Sequence, residues 1–295
     1  MAGFSPPTIV RARWVGVRTS IVTYLSKGVT LIVLWTLLER RFVFFPVTEL
    51  LYTPSDVNLE YEDVQVRTSD DLMIKGWFIP GWGSDVTWLW FHGNGGNLGH
   101  RVGELEMAHH RIGANIFIFD YRGYGESEGV PSEEGTYLDS RAAIEYLSSR
   151  PGVNSGRIVD IGHSLGAAVA IEAALTSPPM AMILISPFAS VRDMASLTLP
   201  FPPAGWLLRN HYDNIRRVRK LTMPLLVLHG DRDETVPIYQ GRKLYEAANE
   251  PKKFHTLEGA AHNDTYQVGG EQYWRVIESF LSDVEVEDGY RGLHS

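Results

Sequence analysis

Residues 157–175 read RIVDIGHSLGAAVAIEAAL: a short apolar strand pattern, then Gly162-His163-Ser164-Leu165-Gly166, then a helix of small residues. This order leaves a chain few choices. A buried strand that reverses sharply into a helix must hold the residue at the bend in a strained backbone conformation. The side chains two positions before and after the bend would collide with the turn, so both positions are glycine. The bend lifts the Ser164 hydroxyl above the edge of a sheet. It also sets it at a helix N-terminus, where backbone N–H groups and the helix dipole favour a developing negative charge. The five-residue pattern alone is common in glycine-rich loops. Its meaning here comes from the strand–turn–helix setting and from partners downstream.

The rest of the chain supplies that setting. YEDVQVRT and LMIKGWFIP flank Ser69-Asp70-Asp71 and predict a hairpin. VTWLWFH, NIFIFD, RIVDIG, AMILIS, PLLVLHG and KFHTLEG are further strand patterns, AMILIS and PLLVLHG buried ones. Helical patterns separate them, over 99–112, 133–149 and 165–175, with a last helix ending near Leu281. Short apolar strands alternating with helices predict an α/β fold: a mostly parallel eight-stranded sheet covered on both faces, made mixed by the leading hairpin. At 295 residues the chain has room for one such domain and not two. Its net charge of −8 gives no support to a nucleic-acid partner. The absence of cysteine removes disulfides, thiol nucleophiles and thiolate metal sites.

A serine hydroxyl becomes a useful nucleophile only when a base takes its proton, and the base needs a carboxylate to hold its tautomer. Loops at the carboxyl ends of later strands should supply both. PLLVLHG leads into Asp231-Arg232-Asp233-Glu234, and KFHTLEG into Ala260-Ala261-His262-Asn263. Asp233 is the preferred acid, because it lies far enough past the strand to turn towards the cleft. Asp231 suits a hydrogen bond to the loop backbone, and Glu234 suits solvent. His262 is the preferred base, as the histidine in a loop after the last strand. His255 falls within a strand and His229 ends one. His163 suits packing beside the nucleophile, and the pair His109-His110 lacks a third metal ligand.

An acyl-transfer enzyme also needs two backbone N–H donors for a tetrahedral oxyanion. Leu165, after the serine, is one. The loop His92-Gly93-Asn94-Gly95-Gly96-Asn97 should give the other, with Asn94 ahead of Gly95. A phosphate cradle does not fit this loop, since no Lys-Ser/Thr follows and G-x-G-x-x-G is not matched. No cofactor and no metal is needed for this chemistry.

Two segments fall outside the repeating pattern. Ser20 to Leu38 is apolar with one charge, Lys27, and is closed by Glu39-Arg40-Arg41. It suits a hydrophobic helix anchoring the chain in a membrane, marginal in length for a span; an amphipathic surface helix is the alternative. Between AMILIS and PLLVLHG, Pro187 to Pro224 exceeds a crossover helix and holds Leu199, Phe201 and Trp206 among prolines. This is a small cap whose apolar rim suits an acyl or alkyl group, although the same residues could simply pack the cap on the body. The expected organisation is an N-terminal segment over 1–59, a catalytic domain over 60–285 and a tail over 286–295.

FHGNGGNLGHR, DYRGYGESEG, SEEGTYLDS, GHSLGAAVAIEAA, GDRDETVP and GAAHNDTYQ, in this order, resemble the α/β-hydrolases. The resemblance is to the fungal bud-emergence (Bem-type) proteins and the related animal and plant abhydrolase-domain proteins. It covers about Glu60 to Leu281 and departs at Ala167, where relatives often have another glycine. It implies the α/β-hydrolase fold, the triad Ser164, Asp233 and His262, and an N-terminal membrane segment. It implies no firm substrate, though some relatives cleave fatty-acyl thioesters from proteins. The expected activity is that of a serine hydrolase acting on an ester or thioester of an apolar acyl group, on a small molecule, a lipid or an acylated protein. An amidase or peptidase, or a non-catalytic binding protein on the same fold, is the alternative. The expected location is an endomembrane, spanned once. The sequon Asn263-Asp264-Thr265 beside His262 favours a cytosolic catalytic domain, and the resemblance leaves a lumenal one open.

Overall fold

A computed structural model describes residues 39–198, 208 and 210–292. The chain divides into two units, residues 1–42 and 43–295. Of the first unit only residues 39–42 are described, and they are helical. The hydrophobic segment 20–38 therefore lies outside the described residues, as do the cap residues Leu199, Phe201 and Trp206.

The second unit is built on an eight-stranded sheet. Its strands are β2 (Glu62–Arg67), β3 (Met73–Ile79), β4 (Thr87–Phe91), β6 (Asn115–Phe119), β7 (Ile158–His163), β8 (Ala181–Ile185), β9 (Leu225–Gly230) and β10 (Lys252–Leu257). Their spatial order is β10-β9-β8-β7-β4-β6-β3-β2. β2 and β3 form the hairpin, and β3 also runs antiparallel to β6. All other pairings are parallel, so the sheet is mixed in the way the leading hairpin predicts. β1 (Phe45–Pro46) and β5 (Gly95–Gly96) make a separate two-stranded parallel pair.

Alternate residues of the central strands feed two cores. Leu89, Phe91, Phe117, Phe119, Met182 and Leu184 face one side, packed with α2 (Glu133–Ser149) and α3 (Leu165–Ala173). Trp88, Trp90, Ile116, Ile118, Ile183 and Ile185 face the other, with α1 (Val102–Ile112) and α7 (Thr265–Gly292). Strands buried on both faces need no polar alternation, which is why their sequences are continuous apolar runs. Each helix has an identifiable limit. Ser132 caps α2 by accepting the Gly135 N–H, and Glu133 and Glu134 complement the dipole there. Gly113, at φ 68°, closes α1. α7 breaks at Gly270 and then runs past Leu281 to Gly292, further than the apolar spacing marks. The remaining described helices are α4 (Val191–Thr198), α5 (Asn214–Val218) and α6 (Ile238–Ala247).

Candidate active site

Parallel strands deliver their loops to one end of the sheet, and four of those loops converge. β7 runs into Ser164, whose φ of 53° and ψ of −112° mark the strained bend. The flanking glycines are there for space. A Cβ on Gly166 would lie 1.9 Å from the Phe91 carbonyl oxygen, and one on Gly162 would lie 2.6 Å from Ala167 Cα. Such a backbone costs about 1–3 kcal/mol and persists only where surrounding packing determines it. The Ser164 N–H donates to the Ile185 carbonyl at 2.9 Å, which locks the bend to β8.

Asp233 follows β9 and His262 follows β10. His262 Nε2 lies 3.0 Å from Ser164 Oγ, and His262 Nδ1 lies 2.7 Å from Asp233 Oδ2. An ionised Asp233 only accepts, so Nδ1 carries the proton and Nε2 is left as an acceptor facing the hydroxyl. All three residues are buried. The structure thus brings together the three residues that the sequence singles out, from positions up to 98 residues apart.

The carboxylate is held by more than His262. Its Oδ1 accepts the N–H groups of Thr235 at 3.0 Å and Val236 at 2.7 Å, and His229 Nε2 lies 3.5 Å from its Oδ2. Burial alone would raise the Asp233 pKa, but hydrogen bonds from His229, His262 and Val236 outweigh it and hold the carboxyl well below the usual carboxylate range. Asp231 instead accepts the Gly259 N–H at 2.7 Å, and Glu234 is exposed. His163 does more than pack. Burial and the nearby His262 imidazole hold its pKa well below the ordinary value. The neutral ring donates from Nε2 to the His262 carbonyl at 3.0 Å, tying the elbow to the histidine loop.

The glycine-rich loop after β4 lies against the nucleophile: a Cβ on Gly93 would be 3.7 Å from Ser164 Cβ. Among the described residues, no backbone carbonyl accepts the N–H of Asn94 or of Leu165. Tyr121 Oη donates to the His92 carbonyl at 3.0 Å and Tyr124 Oη to the Asn94 carbonyl at 2.8 Å. Arg101 Nη2 donates to the Gly95 carbonyl at 2.6 Å. The motif DYRGYG therefore buttresses this loop, a role its position after β6 does not reveal. A polar depression of about 560 Å³ opens beside His262, lined among others by Arg232, Thr235, Asn263 and Gln267. Among the described residues, no group of three or more His, Asp or Glu side chains could hold a metal ion.

A strained serine between a β-strand and a helix, with its histidine and aspartate on later loops of a mainly parallel sheet, defines the α/β-hydrolase class. Comparison with known proteins agrees. Residues 89–216 match the family described as serine aminopeptidase, S33. The protein bem46 of Schizosaccharomyces pombe is 36% identical over 283 residues, covering 88% of this chain and 92% of that one. The α/β-hydrolase domain-containing protein WAV2 of Arabidopsis thaliana is 34% identical over 279 residues, covering 86% and 90%. The chain belongs to this bem46-type family of α/β-hydrolases. An uncharacterized membrane protein of Saccharomyces cerevisiae is 32% identical over 244 residues, covering 81% of this chain and 84% of that one. Among solved structures, the Pyrococcus furiosus esterase Pf2001 superposes with a TM-score of 0.68 at 26% identity, covering 82% of this chain and 97% of that one. No helix among the described residues is long and apolar enough to cross a membrane.

Proposed function

We propose that this hydrolase is a serine hydrolase acting on an ester or thioester of an apolar acyl group through Ser164, His262 and Asp233. The observation that carries this reading is the unbroken chain Ser164 Oγ–His262 Nε2, His262 Nδ1–Asp233 Oδ2, at 3.0 and 2.7 Å. Ser164 Oγ attacks the acyl carbon while His262 Nε2 takes its proton. The oxyanion accepts hydrogen bonds from the Asn94 and Leu165 N–H groups. His262 then protonates the departing alcohol or thiol, and water repeats the sequence on the acyl-enzyme. Asp233 stays ionised throughout and stabilises the imidazolium. The choice of an apolar acyl group is supported by Leu199, Phe201 and Trp206 in the cap sequence, and the choice of an ester by the likeness to an esterase.

A peptidase reading is favoured by one observation, the match to the serine aminopeptidase description. That match ends at residue 216, before Asp233 and His262. Residues 20–38 we propose as the membrane attachment, supported by their composition and by the relative named as a membrane protein.

A fluorophosphonate probe tests the nucleophile. Wild-type protein should label covalently and Ser164→Ala should not, with turnover falling on the order of 10⁶-fold. Labelling that persists in Ser164→Ala removes the assignment, and an unlabelled wild type favours a binding protein. A series of p-nitrophenyl esters, acyl thioesters and aminoacyl anilides then separates the substrates. Faster cleavage of anilides than of esters would transfer the reading to a peptidase.

A further inference from the structure

The segment Phe45–Glu49 runs as a strap along the glycine-rich loop, and its exposed side chains do not explain why. Phe45 is 52% and Val47 37% exposed. What fixes the segment is polar contact between backbones, with Val43 and Phe44 buried in the core at its start. β1 pairs with β5 in the register Phe45↔Gly95, Pro46↔Gly96. The Phe45 N–H donates to the Asn94 carbonyl at 3.0 Å and the Val47 N–H to the Gly96 carbonyl at 3.1 Å. Pro46, which has no N–H, falls between the two donors. In return Asn94 Nδ2 donates to the Val43 carbonyl at 3.1 Å. Asn97 Nδ2 donates to the carbonyls of Val47 at 3.1 Å and Glu49 at 2.7 Å.

The loop needs such outside partners. Gly93, Gly95 and Gly96 have no side chains to hold them, and glycine backbones lose the most freedom on ordering. A Cβ on Gly95 would meet nothing within 4 Å, so lack of room does not explain that glycine. Asn94 is the point of control. Its carbonyl accepts from the Phe45 N–H beside the Tyr124 hydroxyl, its Nδ2 donates to the Val43 carbonyl, and among the described residues no acceptor meets its N–H. Holding the carbonyl and the side chain of one residue narrows the directions its N–H can take.

We propose that the backbone N–H groups of Phe45 and Val47 are positioning groups of the oxyanion hole, setting the direction of the Asn94 N–H. The proposal rests on the serine-hydrolase reading. It makes the chain just beyond the first unit part of the catalytic geometry.

Phe45→Pro and Val47→Pro in the full-length chain each delete one donor. Activity against a p-nitrophenyl ester is expressed per active site titrated with a fluorophosphonate, so misfolded protein does not count. An arylboronic acid, whose tetrahedral adduct places an oxygen in the hole, reports the hole directly. We expect kcat per titrated site to fall about 10²-fold, the scale of losing or misplacing one oxyanion donor. KM should stay within about 3-fold, and boronate affinity should weaken by the same factor as kcat/KM falls. Phe45→Leu, which keeps the N–H, should recover the loss. Unchanged kcat per titrated site overturns the proposal. So does a loss confined to KM or to the number of titratable sites. A wild type that neither turns over nor labels brings down the hydrolase reading and the proposal with it. A wild type that does both, beside unaffected proline variants, brings down the proposal alone.

Discussion

Asp233 and Asp231 lie two residues apart and do different work, and the difference is set by which backbone groups each one meets. Asp233 turns inward to His262 and is held ionised by N–H groups of its own loop and by His229. Asp231 accepts from Gly259 and joins the loop after β9 to the turn after β10. Asp233→Asn should lower kcat by about 10⁴-fold, because an amide that donates to Nδ1 forces the wrong tautomer on His262. Asp231→Asn should leave kcat within about 10-fold and cost about 1 kcal/mol of stability, the worth of one exposed hydrogen bond. Initial rates and urea melts on the two variants check this, and a larger kcat loss in Asp231→Asn would exchange the roles. Position along the chain was enough to prefer Asp233 from sequence. The help it receives from His229 was not legible, because that contact exists only once Val236 has folded back over the strand end, where His229 Nε2 also donates to the Val236 carbonyl at 2.8 Å.

At the scale of elements, the strap and the segment before it should separate by truncation. A chain starting at Val43 keeps Phe45 and Val47 against the loop. It should leave the membrane fraction, where the full chain is expected, and keep its activity. A chain starting at Leu50 should leave the membrane as well but lose activity. Fractionation with activity per titrated site checks both, and full activity in the shorter chain would detach the strap from catalysis. Strands β4 and β6 to β9 were legible because nearly continuous apolar runs with short polar breaks admit few other readings. The elbow was legible because only glycine fits at Gly162 and Gly166. The pair β1–β5 was not. Each strand has two residues, one holds a proline, the other is Gly-Gly, and neither carries a period. The course of α7 beyond Leu281 escaped for a related reason. The apolar residues thin out there: Val284 is buried and Val286 is exposed.

Stability of the whole molecule should carry the imprint of Glu104. This carboxyl lies on α1 where the helix meets α7, buried, and accepts from Tyr273 Oη at 3.3 Å. Burial is the largest influence on it, opposed by the Arg101 charge and the Tyr273 hydroxyl, and the result is a pKa raised from 4.5 to about 7. The native state therefore keeps a proton that the unfolded chain loses between pH 4.5 and 7. Where the folded state binds more protons, unfolding free energy falls as pH rises. Glu104 thus favours the fold below pH 4.5, and that contribution is lost as pH rises to about 7. The full shift corresponds to about 3 kcal/mol. Asp139, raised by burial to about 6, acts in the same direction, so the wild-type profile alone does not isolate Glu104. Glu104→Gln does, since the amide stays neutral at every pH and can still accept from Tyr273. Its stability relative to wild type should rise by up to about 3 kcal/mol between pH 5 and pH 8. Urea denaturation of both proteins at the two pH values measures this. A difference between them that does not change with pH would mean that Glu104 is already ionised beneath α7 at pH 5.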